Sequence, residues 1–284
     1  MNRLYKYLIF SLFSFAANTT LAGDTLQLKP LEIGIVPYMS ARVLISSYES
    51  MREYLELTLG KPVKIYTATG FKPFFQNSQQ GDYDLVITAA HFARILQQDN
   101  NFVPLVRFSS GGRGLIMTNI NSPIKTAQDL KDQVIALPDQ LSLASIVCMT
   151  HLSEAGLKPD RDFKLLEVPS FASAILSIQK GEANAAVSAP GALVQMTKEM
   201  RESVRPVVDT GEYVNLIILS HPRLEKQLSE VISKALLKFG SSTIKGKQFL
   251  ENTGFGSIIP VSSKDMNGLE RYTSETRRLL NATQ

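Results

Sequence analysis

SPIKTAQDLKDQVIALPDQLSLAS, residues 122–145, and FASAILSIQKGEANAAVS, residues 171–188, are the stretches that decide the fold. In the first, Thr126 can cap a short helix, Asp129 completes a loose capping box three residues on, and Leu130 gives the apolar contact back to a sheet. Val134–Leu137 is a short apolar run stopped by Pro138, which predicts a buried strand. The turn Pro138–Leu141 then feeds a helix that Ser142 can cap, so unpaired backbone N–H groups and the positive helix end face outward together. The second stretch repeats the plan, with a helix over Phe171–Lys180 ended by Gly181 and a buried strand over Ala183–Ser188 closed by Ala189, Pro190 and Gly191. Polar turns at the carboxyl ends of successive strands are where an open α/β sheet builds a ligand crevice.

Working outward, Leu31–Val36 reads as a strand and Ala41–Leu59 as an amphipathic helix ended by Gly60, with Val43, Tyr48, Met51 and Leu55 on its apolar side. Strands are expected at Val63–Ala68, Asp84–Thr88 and Phe102–Phe108, with helices containing Lys72–Gln79 and His91–Gln98 between them. This alternation predicts a parallel sheet covered on both faces. The glycine-rich run Ser109–Gly114 precedes a strand instead of opening a helix, so it reads as a hinge, not a phosphate loop. Leu115–Thr118 then carries the chain to a second lobe, and Tyr213–Leu219 brings it back into a helix over Leu224–Phe239. With these two strands as hinges, residues 23–113 and 220–284 form a discontinuous first lobe, and 114–219 form the second. Residues 243–281 read as largely helical, with an extended piece at Ile258–Val261.

Arg3 and Lys6 precede an apolar run from Leu8 to Ala17 that closes on Thr20-Leu21-Ala22, the pattern of a secretory signal cut after Ala22. Taking 22 residues from 284 leaves 262, long enough for two lobes, and losing Arg3 and Lys6 lowers the formal charge from +4 to +2. That charge is too small, and the basic residues too dispersed, to argue for nucleic acid. Cys148, the only cysteine, follows Ile146 and Val147, which predicts a buried, inert thiol and leaves no lipid-anchor cysteine after the signal. His91, His151 and His221 lack zinc spacing, and no hydrolase elbow or phosphate-loop lysine motif is present, so no enzyme, metal or cofactor is expected.

The paired units resemble the second lobe of periplasmic solute-binding proteins, and specifically the phosphate, phosphite and phosphonate binding family. The resemblance lies in Ala136-Leu137-Pro138-Asp139 with Ser142 and Ser145, and in Ala174–Ile178 followed by Gly181–Val187. It implies an α/β fold of the two-lobed periplasmic binding protein type II, with two α/β lobes joined by hinge strands. It also implies a small ligand, an oxyanion of phosphonate or phosphate type, captured between the lobes by a monomer that delivers it to an ABC importer. The alternative partner is the periplasmic domain of a sensor kinase, and a hydrolase pairing Ser142 with His91 lacks a third orienting group.

The site expectations combine residue chemistry with that resemblance. Tyr38 and Ser40 lie between the first strand and its helix, where hydroxyls can donate to an anionic oxygen beside free helix N–H groups. Thr88 and His91 stand at the corresponding edge of a later strand, where the imidazole can donate to an oxyanion and titrate near neutral pH. Ser142 and Ser145 flank a helix start suited to a tetrahedral oxyanion, though one serine would suffice for capping. Where the family carries an acidic residue this chain has Asn184 and Ser188, and Phe171 stands where a histidine is frequent. Those departures weigh against an aminoalkylphosphonate and add an apolar wall.

Overall fold

The computed structural model describes residues 28–194 and 196–282; the signal segment and its expected cut lie outside the described residues. The chain builds two sheets. The first holds β1 (Leu31–Ile35), β2 (Val63–Tyr66), β3 (Leu85–Ala89), β4 (Val103–Phe108), β10 (Leu216–Ser220) and β11 (Ile258–Pro260), in the order β11-β4-β10-β3-β1-β2. The second holds β5 (Gly112–Asn119), β6 (Val134–Leu137), β7 (Lys164–Glu167), β8 (Ala185–Ser188) and β9 (Val204–Tyr213), in the order β7-β6-β8-β5-β9.

Helices α1 (Ala41–Leu59), α2 (Phe71–Gln80) and α3 (Ala90–Asn100) connect the first lobe's strands, and α4 (Leu143–Glu154) and α5 (Phe171–Gln179) those of the second. Two short helices, α6 (Pro190–Val194) and α7 (Lys198–Glu202), precede β9. The carboxyl end adds α8 (Lys226–Ser242), α9 (Ile244–Thr253), α10 (Ser263–Asn267) and α11 (Glu270–Asn281). Local signals decide most of these ends. Thr126 and Asp129 form a full capping box on a single 3-10 turn, Ser142 caps α4, and Gly60 ends α1 in the left-handed conformation at φ 62°.

Neither sheet is purely parallel, which corrects the expectation from alternation. β1 runs parallel to β2 and β3, but β10 lies antiparallel between β3 and β4, and β11 is antiparallel to β4. In the second sheet β6 is parallel to β7 and β8, whereas β5 is antiparallel to both β8 and β9. The cause is the double crossing. β5 leaves the first lobe without an intervening helix, and β10 returns as a strand that threads the first sheet in the opposite sense.

The hinge positions also differ from the sequence reading. The strand expected over Tyr213–Leu219 is divided: Tyr213 ends β9 in the second sheet, Leu216 begins β10 in the first, and Val214 and Asn215 cross between them. The other crossing is Ser109–Gly111, and because Gly112 pairs with Tyr213 the two links lie side by side. The first sheet therefore regains the chain at Leu216, whereas the sequence reading carried the second lobe on to 219. A Cβ on Gly112 would stand 2.2 Å from the Tyr213 ring, so glycine is required here by close approach of the two links.

Helix α4 is apolar nearly all round because it serves two cores. Ala144, Cys148 and Leu152 join the second lobe's core with Ile135, Leu137 and Val187. Leu143, Ile146 and Val147, with Leu141 from the turn before, belong instead to the first lobe's core with Leu216, Phe92 and Ile87. Burial of a side chain of this size contributes about 1.5–3 kcal/mol, so the lobes adhere here through a continuous apolar seam.

Candidate ligand-binding site

The carboxyl ends of the parallel strands β3 and β6 feed the helices that meet at the seam, α3 and α4. On the first lobe Thr88, in β3 opposite Ile217 of β10, is fully buried, and its Oγ1 has no hydrogen-bond partner among the described residues. Three residues on, His91 is also fully buried, and its Nε2 lies 3.0 Å from the carbonyl oxygen of Leu141 in the second lobe. A carbonyl only accepts, so Nε2 carries the proton and donates. Burial lowers the His91 pKa from 6.5 to about 3, only partly opposed by the Leu141 carbonyl. The imidazole is thus neutral and committed to the protein's own backbone, where the sequence suggested a group titrating near neutral pH.

On the second lobe Ser142 and Ser145 are buried in one capping arrangement. Ser142 Oγ accepts from the Ser145 amide at 3.1 Å and donates to Ser145 Oγ at 2.7 Å. The second serine thus takes up the hydroxyl proton that an isolated cap leaves over. In the same turn Asp139 accepts from the Leu141 amide at 2.8 Å. Burial raises its pKa, the amides of Leu141 and of Phe71 at the start of α2 hold it down, and the Glu167 carboxylate adds to the rise. Ser188 ends β8 fully buried with its Oγ unpartnered.

Tyr38 and Ser40 follow β1, which pairs in parallel with β3, so they stand at the same edge of the first sheet as Thr88. Tyr38 points into the first lobe: its hydroxyl donates to Tyr48 at 3.2 Å, its ring packs on Phe255 with centroids 6.3 Å apart, and burial pushes its pKa up to about 12. Ser40 is exposed at the start of α1 and makes no capping bond. Phe171 opens α5 and packs within the second lobe's cores. Asn184 precedes β8, and its side-chain oxygen accepts from the Val134 amide at 2.9 Å, clamping the start of β6. At about 3.3 Å per residue, the four steps from Asn184 to Ser188 place it about 13 Å away along the strand. Of the nine residues singled out by sequence, Thr88, His91, Ser142 and Ser145 gather at the two facing turns, and Ser188 stands at the carboxyl end of the neighbouring strand.

A family model described as ABC transporter, phosphonate, periplasmic substrate-binding protein matches residues 33–266. The chain belongs to this family. Its fold agrees with solved structures of phosphonate-binding proteins. A binding protein component of an ABC phosphonate transporter from Pseudomonas aeruginosa superposes with a TM-score of 0.75 at 15% identity, covering 89% of each chain. PhnD1 from Prochlorococcus marinus, in complex with methylphosphonate, gives 0.76 at 18% identity over 88% of this chain and 99% of its own. The periplasmic aliphatic sulphonate binding protein SsuA from Escherichia coli is similar with a TM-score of 0.59 at 18% identity, over 89% and 94%. The phosphonate-binding family is a periplasmic solute-binding family of ABC transporters, and the two-sheet α/β architecture here is that of its type II fold.

Proposed function

We propose that this binding protein captures a small phosphorus oxyanion between its two lobes and presents the closed form to an ABC importer. One observation carries the reading. Among the described residues, the buried side-chain polar atoms without a partner are Thr88 Oγ1, His91 Nδ1, Ser188 Oγ and, in β4, Arg107 Nε. Three of the four stand at or just beyond the carboxyl ends of β3 and β8. A buried polar atom without a partner costs about 1–3 kcal/mol, and native proteins keep few of them outside functional sites. A ligand contacting both lobes stabilises the closed arrangement by its differential affinity alone, with no chemical step. The signal segment, cut after Ala22, directs the chain to the periplasm.

The test is calorimetric titration of the mature protein with phosphate, phosphite, methylphosphonate and sulfate. A saturable one-to-one heat with a phosphorus oxyanion, weakened in Ser188→Ala, is the expected result. Silence toward all of them would end the ligand claim.

A further inference from the structure

The orphaned atoms at the crevice differ in kind. Thr88 and Ser188 carry hydroxyls, which rotate to donate or accept as a ligand requires. His91 has no such freedom. Its Nε2 proton is used on the Leu141 carbonyl at 3.0 Å, and a neutral imidazole has only one N–H, so Nδ1 presents a bare lone pair. That lone pair is fully buried, has no donor near it among the described residues, and sits on a ring held between the lobes by the Leu141 bond and by Phe92, whose centroid lies 4.3 Å away.

We propose that His91 Nδ1 is a specificity-determining acceptor, which selects ligands that bring a hydrogen-bond donor to the crevice: an oxyanion still holding a proton, such as hydrogen phosphonate or hydrogen phosphate, over a fully ionised sulfonate or sulfate. The proposal rests on the solute-binding reading above and deepens it. The lone pair repels an unprotonated anionic oxygen and bonds a P–OH. The ring stays neutral because burial holds its pKa far below neutrality. It cannot exchange roles by flipping, since Nδ1 toward Leu141 would still need its proton there and leave the other nitrogen bare.

The test compares methylphosphonate with methanesulfonate, which match in shape but differ in that only the first carries an ionisable P–OH. Isothermal titration of the wild-type protein at a pH below the second ionisation of methylphosphonate is expected to give at least about tenfold tighter binding of the phosphonate, the scale of one buried acceptor left unmatched. In His91→Gln, whose amide offers both a donor and an acceptor, the preference is expected to shrink. Equal affinity of the wild type for the two ligands would overturn the acceptor role while leaving solute binding intact, whereas binding of neither would overturn the underlying reading as well. If His91→Gln does not fold, the nitrogen-15 shifts of the wild-type His91 ring decide the matter. A protonated Nε2 with a bare Nδ1 supports the proposal, and a protonated Nδ1 refutes it.

Discussion

Replacing Thr88 by valine separates a ligand-binding hydroxyl from a structural one by the sign of two measurements. The side chain is fully buried in the middle of the first sheet, its Oγ1 has no partner, and valine keeps its shape and its β-branched preference for a strand. An unmatched buried hydroxyl costs about 1–3 kcal/mol, so removing it stabilises the unliganded closed protein by up to that amount. For a chain of this size each kcal/mol raises Tm by about 2–4 °C. A ligand-binding hydroxyl would donate to an anionic oxygen, a bond of about 1.5–3 kcal/mol, so its removal is expected to lower affinity by about 10- to 150-fold. Scanning calorimetry on the unliganded variant gives the first number and isothermal titration the second. A structural hydroxyl predicts the reverse pattern. If Thr88→Val lowers Tm while affinity stays unchanged, the reasoning about orphaned polar atoms fails.

Three further outcomes follow from the same geometry. His91 has a pKa lowered from 6.5 to about 3 in the folded state, so the unfolded chain binds its proton first as the pH falls. The stability it confers is complete above about pH 6.5 and declines by up to about 1.4 kcal/mol per pH unit as the pH drops toward 3; urea denaturation at stepped pH is expected to show this slope, and His91→Gln to flatten it. Asp84 is nearly buried, accepting from the Glu32 amide at 2.9 Å and from Arg223 Nε at 2.9 Å, which ties the entry to β3 to the exit from β10. Asp84→Ala is expected to cost about 2–4 kcal/mol in urea, less than a fully buried pair because Arg223 is a third exposed. Gly112→Ala places a methyl 2.2 Å from the Tyr213 ring and is expected to destabilise by about 1–3 kcal/mol; the double variant with Tyr213→Ala should lose less than the two single losses together in the same assay.

What the sequence revealed were features decided within a few residues. Ser142 as the cap of α4, the Thr126–Asp129 box, the limits of α1 and the strand Val134–Leu137 depend on neighbours in the chain, and the structure has them as read. The losses occur where distant segments meet. β9 escaped notice because Pro206 and the turn signal Asp209-Thr210-Gly211 lie inside it, and it tolerates both as an edge strand whose register against β5 shifts twice. Tyr38 was legible as a hydroxyl after β1, whereas its bond to Tyr48 and its packing on Phe255 come from segments the local sequence does not show. Asn184 matched a family position, but its partner Val134 lies fifty residues away on another strand. His91 was legible as a polar residue at a strand end, whereas its neutral state comes from burial and its tautomer from the Leu141 carbonyl of the opposite lobe.

Hydrogen–deuterium exchange with and without saturating methylphosphonate puts the shared crevice to its most direct trial. Ligand is expected to slow exchange together in two segments that belong to different lobes, the first turn of α3 after Thr88 and the first turn of α4 after Ser142. Protection confined to one lobe, or found only away from both turns, would contradict a guest held between them.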